Sequence, residues 1–303
     1  MVSLIWVLVA GCSHSGDDDV VPVNKDVKTR LLTFTQVGNK GSRAVLYEKD
    51  NRLSALWNIG DQLRCCNLKL EESIMSLGEI STGTLTARDN KVTSIFQGSM
   101  SCEQNHQLAV IYPVKNFDIG KESEPEDRYF AKYTITLSGQ DGTLDTLAYS
   151  YHYMYGLATV NSVTSSTAEA SGKMQSLLAV CKFSFTDGEG HTIRVKELEI
   201  SYVYDGSGGN RQIYPQGATV KCNENGYSIT PDTSNDNAEV NNPLKIVLNS
   251  AANDVYVALL PVTTRTFRFN VTDANGNKYT GVAQATLNAG EYVVASLPVK
   301  IKS

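Results

Sequence analysis

Residues 129–138 alternate strictly along the chain. Ala131, Tyr133, Ile135 and Leu137 fall on one face, and Lys132, Thr134, Thr136 and Ser138 on the other. Phe267, Phe269 and Val271 alternate with Arg268, Asn270 and Thr272 in the same way, and Leu198, Ile200, Tyr202 and Tyr204 oppose Glu197, Glu199 and Ser201. A period of two over such lengths predicts half-buried antiparallel strands. Turn signals punctuate the runs at Asp141-Gly142, Asp187-Gly188-Glu189-Gly190, Asp205-Gly206-Ser207-Gly208-Gly209, Asn275-Gly276 and Ala289-Gly290. No long amphipathic helix interrupts them, so the chain is predicted to be all-β.

A change of texture divides it. Residues 160–175 are small and polar, and a new strand-like run spans Leu177 to Phe185. The expected organisation is a polar tether over 13–29, a first β-sandwich over 30–162 and a second over 163–303. Each half has about 130 residues, enough to enclose its own core. The 41% hydrophobic content supports packed cores rather than disorder. With 27 basic against 32 acidic residues and no basic block, the chain lacks a nucleic-acid surface.

The cysteines are Cys12, Cys65, Cys66, Cys102, Cys181 and Cys222, without a Cys-x-x-Cys spacing. Adjacent Cys65 and Cys66 would face opposite sides of a strand and could not share one metal. Buried inert thiols are the expected state of the last five, with a bridge from Cys102 to Cys65 or Cys66 as the alternative.

Catalytic chemistry is missing from the pattern. The four histidines, His14, His106, His152 and His191, are scattered, and no nucleophile elbow, zinc-protease pair or phosphate loop occurs. The Ser150-Tyr151-His152-Tyr153-Met154-Tyr155 stretch reads either as a strand with tyrosines on both faces or as a sugar platform. Asp273-x-Asn275-x-Asn277 lacks the glycine and distal glutamate of a calcium loop and reads as a hairpin turn. The expectation is a protein that is not an enzyme, with no metal and no cofactor.

The N-terminus resembles a bacterial lipoprotein signal. An apolar run ends Leu8-Val9-Ala10-Gly11-Cys12, followed by Ser13-His14-Ser15-Gly16-Asp17-Asp18-Asp19. The resemblance implies removal of the segment before Cys12 and acylation of that cysteine, which would anchor the chain to a membrane through several acyl chains. Asp17-Asp18-Asp19 resembles the acidic signal for display on the outer membrane surface. Met1-Val2-Ser3 carries no Lys or Arg, which leaves the start codon open.

Taken in order, further motifs resemble the fimbrillin (Mfa-like) family of Bacteroidetes-type pilins. Leu31-Leu32-Thr33-Phe34-Thr35 precedes Ser42-Arg43-Ala44, and Trp57-Asn58-Ile59-Gly60-Asp61-Gln62-Leu63 follows. Leu108-Ala109-Val110-Ile111-Tyr112-Pro113, Val255-Tyr256-Val257-Ala258-Leu259-Leu260-Pro261, Asp273-Ala274-Asn275-Gly276-Asn277-Lys278-Tyr279 and Leu287-Asn288-Ala289-Gly290-Glu291-Tyr292 complete the set. The resemblance implies two transthyretin-like antiparallel β-sandwiches in tandem. It also implies a pilus subunit that polymerises when an arginine-specific protease removes the first strand and a neighbour's strand fills the groove. On that model Arg43 is the cleavage candidate and Arg30 a weaker one, since a cut at Arg30 would leave the strand in place. The removable strand is Leu31, Leu32, Phe34 and Val37, with Leu32 and Phe34 facing inward. The C-terminal run with Val293, Ala295, Leu297, Val299 and Ile301 on one face is either the donor strand or the permanent last strand of the second sandwich. Expected partners are other pilin subunits, identical or related, the membrane through the lipid anchor, and a host, bacterial or glycan receptor. The alternative is a surface glycan-binding lipoprotein of a polysaccharide-uptake system. Such proteins present coplanar tryptophans, whereas this chain keeps only Trp57 after export.

Overall fold

The computed structural model describes residues 27–37, 45–50, 52–69, 82–91, 93–114, 118–121, 129–203, 212–232 and 242–302. In chain order the strands of the first half are β1 (Thr29–Gln36), β2 (Val45–Lys49), β3 (Arg52–Leu56), β4 (Gln62–Asn67), β5 (Thr82–Ala87), β6 (Ile95–Ser101), β7 (Gln107–Tyr112), β8 (Asp118–Lys121), β9 (Tyr129–Thr136), β10 (Met154–Val163) and β11 (Thr167–Ser176). Those of the second are β12 (Ala179–Thr186), β13 (Val195–Val203), β14 (Gln212–Ile213), β15 (Gly217–Asn223), β16 (Gly226–Pro231), β17 (Leu244–Ala252), β18 (Asp254–Leu259), β19 (Val262–Asp273), β20 (Lys278–Leu287), β21 (Tyr292–Pro298) and β22 (Lys300–Ile301). Helical structure among the described residues is confined to a turn at Leu144–Thr146 running into a π-helical turn at Leu147–Tyr151. The fold is all-β.

Seven strands of the first half close on themselves in the order β1-β11-β10-β7-β4-β5-β6, with β1 also bonded to β6. Closure leaves no free sheet edge. Inside lie Leu32, Phe34, Trp57, Leu63, Leu85, Phe96, Met100 and Met174, all at most 2% exposed. Trp57, just past β3, fills the centre, edge-on to Phe96 and Tyr112 at ring separations of 4.9 and 5.2 Å. In the second half β18-β12-β21 faces a larger sheet, β14-β13-β19-β20-β22 with β17 also on β13. Phe183 and Phe185 of the small sheet pack on Phe269 of the large one.

The two halves repeat one plan, in which the first strand of each runs parallel to its last long strand: β1 with β11, and β12 with β21. They also share a sheet. The order β16-β15-β9-β8 joins a hairpin inserted in each half, through the pairing of β9 with β15. One continuous core therefore runs from the outer face of the barrel into the sandwich.

The stretch 160–175, expected to divide the halves, is the end of β10, its turn and most of β11. Ala168, Ala170 and Met174 point into the barrel while Thr167 and Glu169 face water. The strands bonded to β1 and β7 therefore run through Ser176, and β12, from Ala179, opens the next sheet. Gly172 shows why small residues belong there: a Cβ at that position would sit 2.4 Å from the Leu157 carbonyl oxygen across the hairpin.

Candidate functional site

β1 occupies a slot between two other strands. Residues 31–36 are in register with 167–172 of β11, and residues 29–35 run antiparallel to β6. The pleat turns Leu32 and Phe34 into the barrel, at 0% and 1% exposure, while Leu31 and Val37 are about half exposed at 47% and 48%. Of the four residues assigned to the removable strand, two fill the interior and two face out.

Polar side chains secure the ends of the strand. Arg30, 6% exposed, donates from Nη1 and Nη2 to both carboxylate oxygens of Glu103 at 2.9 and 3.1 Å, and from Nε to the Thr164 carbonyl at 2.8 Å. It also reaches the Cys102 carbonyl. Such a fork-to-fork ion pair is directional and strong. At the other end the Trp57 indole N–H donates to Gln36 Oε1 at 2.7 Å, both groups being buried. Arg30 is thus enclosed in structure, whereas Arg43 and Cys12 lie outside the described residues.

The C-terminal run behaves differently. β21 lies parallel to residues 180–186 of β12, and its other side makes no ladder among the described residues. Val293, Ala295 and Leu297 are half-buried. They line, with Phe183, Phe267 and Ala283 among others, an apolar cavity of about 140 Å³ between β21 and β20. In the first half the equivalent strands, β11 and β10, are zipped together along their length. Beyond Pro298 the chain crosses to the facing sheet, burying Val299, and ends with β22 on residues 279–280 of β20, leaving Ile301 74% exposed. Four of the five residues placed on one face lean inward, and Ile301 does not.

Sequence reasoning missed Glu48 on the β2–β3 hairpin. Its carboxylate accepts from Lys182 Nζ of β12 at 2.9 Å and from the Tyr256 hydroxyl of β18 at 2.7 Å, and the buried Tyr292 phenol of β21 faces it. One carboxylate thereby gathers all three strands of the small sheet. The available signal was its pleat position: Glu48 shares a face with Leu46, which is 3% exposed. The Tyr256 and Lys182 hydrogen bonds hold the Glu48 carboxyl below its ordinary value of 4.5, and the Glu48 bond holds Lys182 charged. A depressed carboxyl contributes stability above its unfolded pKa and loses it as pH falls through the folded one. Glu48→Gln is therefore expected to destabilise the protein by about 1.5–3 kcal/mol at neutral pH, as for hydrogen bonds to a charged group. In urea titrations the difference from wild type should shrink from about pH 4.5 downward. A gap that does not narrow as pH falls below the ordinary value of 4.5 would contradict the assignment.

The five described cysteines are buried and free. Burial pushes the thiols up, to about 12 for Cys66 and Cys181 and about 11 for Cys102. Native protein is expected to resist a thiol reagent at pH 8 and to release these five thiols only on unfolding. Rapid native labelling of any of them would refute this. The described histidines are tied into structure: His106 Nδ1 accepts from the Glu103 amide, His152 pairs with Ser176 at 2.8 Å, and His191 caps a turn with Asp187, whereas His14 lies outside the described residues. Asp273 accepts from the amides of Asn275 and Asn277, closing the β19–β20 hairpin, and Gly276 supplies its positive φ of 86°. No group of three His, Cys, Asp or Glu side chains gathers for a metal among the described residues.

No protein-family model and no curated protein matches the chain. Among solved structures it resembles a candidate cell adhesion protein of Bacteroides uniformis, with 14% identity over 90% of this chain and 93% of that one and a TM-score of 0.52. A candidate cell adhesion protein of Bacteroides ovatus gives 13%, 89%, 92% and 0.52 respectively. At these identities the likeness concerns the fold.

Proposed function

We infer that this chain is a structural or accessory subunit of a cell-surface fimbria, exported as a lipoprotein anchored at Cys12 to the outer membrane and serving adhesion. The observation that carries the reading is β1, a strand at the start of the body inserted between two neighbours, whose departure opens a closed barrel from end to end. An opened slot presents two rows of unpaired N–H and C=O groups above an apolar floor, the arrangement that accepts a foreign strand. Cleavage at Arg43 would detach β1 from everything after it. The donor is the run from Val293 to Ile301: β21 is laddered on one side only and leans on a partly empty cavity, so it leaves its own sandwich at lower cost than β11 could leave the barrel. The adhesion role accords with the two solved proteins that share the fold and are candidate cell adhesion proteins. Partners on this reading are further copies or related subunits, with a host, bacterial or glycan receptor at the exposed end.

Treatment of the full chain with an arginine-specific protease tests it. The expected product begins at Ala44 and forms ladders on unboiled denaturing gels. A product with another N-terminus, or one that stays monomeric at high concentration, would overturn the reading.

A further inference from the structure

The tyrosine-rich stretch 150–155 has no part in strand exchange. Tyr149 projects into solvent, and Tyr151 and Tyr153 are core residues. Tyr155 instead forms the inner wall of a cleft of about 600 Å³ between the β10–β11 hairpin and the β15–β16 turn. That volume lies within the range of ligand-binding clefts. The Tyr155 hydroxyl donates to the carbonyls of Gly226 and Asn223 at 3.2 and 3.4 Å, so it is committed to holding the turn. Tyr227, half-buried with its ring 5.2 Å from that of Tyr155, is the available aromatic face.

Three polar side chains converge on the same space: Lys173 and Gln175 from β11, and Asn225 from the turn. Among the described residues these side chains make no bond to the protein. The Asn225 amide N–H donates to Asn223 Oδ1 at 2.9 Å, which sets the turn without using the Asn225 side chain. Among the described residues no carboxylate lines the cleft, and adjacent Glu224 is already paired with Lys69.

These features select a ligand. Strand addition to β10 or β11 is excluded because both are bonded on both sides, and β16, which has a free edge, reaches the cleft only with its first residues, Gly226 and Tyr227. An apolar ligand would make no use of the two amides and the ammonium, which are exposed to water at the cleft's rim. A small anion has no use for the ring. A pyranose offers a C–H face to Tyr227 and paired hydroxyls to the amides, and a lone ammonium without a lining carboxylate favours a sugar that carries a negative charge. We propose that this cleft binds an acidic saccharide, a uronic- or sialic-acid-type residue, through Tyr227, Lys173, Gln175 and Asn225. The proposal stands independently of the strand-exchange reading.

The test is calorimetry and saturation-transfer NMR on the full chain with tetragalacturonate, sialyllactose and neutral maltotetraose. At least one acidic probe is expected to bind saturably, more weakly at higher salt, and at least tenfold tighter than maltotetraose. Lys173→Ala and Gln175→Ala should each weaken it at least fivefold without moving the unfolding midpoint, and Tyr227→Phe should retain binding that Tyr227→Ala loses. Ladder formation after protease treatment should be the same in Lys173→Ala as in wild type. Failure of both acidic probes to bind, equal binding of maltotetraose, or indifference to Lys173→Ala would overturn the proposal.

Discussion

Replacing Trp57 by alanine is expected to destabilise the barrel by roughly 3–5 kcal/mol, the range for large aromatic truncations in a core. The indole is fully enclosed and meets Phe96 and Tyr112 edge-on, so its removal leaves a hole bounded by rings that seven bonded strands prevent from closing. The loss is more than apolar, because the indole N–H is a donor to the buried Gln36 Oε1 at the end of β1. A buried acceptor that loses its partner costs a further ~1–3 kcal/mol. Together these approach the whole stability of a typical domain, about 5–15 kcal/mol. Trp57→Phe should recover most of the packing but not the bond to Gln36, and so fall between the two. Equilibrium urea unfolding followed by far-UV circular dichroism measures the series. A loss below about 1 kcal/mol for Trp57→Ala would mean that the barrel core is not centred on this residue.

The alternation that predicts strands at 129–138, 198–202 and 267–272 corresponds to buried Ala131, Tyr133, Ile135, Leu198, Ile200, Phe267, Phe269 and Val271, because each strand buries one face. Three things were not legible. The β10–β11 hairpin reads as a linker because close backbone approach at Gly172 requires small residues, and small polar residues also mark loops. Stretch 150–155 reads as a strand, yet the chain makes a π-helical turn through Tyr151 and the strand starts at Met154. The pairing of β9 with β15 joins positions some eighty residues apart, and no local pattern encodes it. Within the site, Leu32 and Phe34 were expected to face inward on the strand that the resemblance picked out, and both are buried. The Arg30–Glu103 and Gln36–Trp57 fastenings depend on neighbours brought together by closure of the barrel.

Those fastenings give β1 an unequal hold along its length, and on the proposed exchange this bears on how it would leave. Its centre is held by apolar burial, which does not depend on direction, and its two ends by groups that need particular partners. A foreign strand can reproduce the centre with any two bulky side chains at alternate positions. Only a strand with a matching cation would satisfy Glu103. The slot would therefore accept a related donor while favouring its own strand.

After a cut at Arg43, a labelled peptide of residues 27–37 is expected to exchange into the barrel in place of the original strand, and mild urea should accelerate the exchange. A peptide with Leu32→Asp and Phe34→Asp should bind at least a hundredfold more weakly. Two core side chains contribute about 1.5–3 kcal/mol each on burial, and roughly 1.4 kcal/mol is a factor of ten in affinity. Burying two carboxylates in their place adds a further penalty. A third peptide with Arg30→Met separates the ends from the centre. It keeps both apolar anchors but leaves Glu103, about one-third exposed, without its ion-pair partner. Its deficit should be smaller than that of the doubly charged peptide and should narrow as pH falls and Glu103 protonates. Fluorescence anisotropy of the labelled peptides against cut protein ranks the three. Equal binding of the doubly charged peptide would show that the slot does not recognise the inward face of β1, and strand exchange at this barrel would then lack its physical basis.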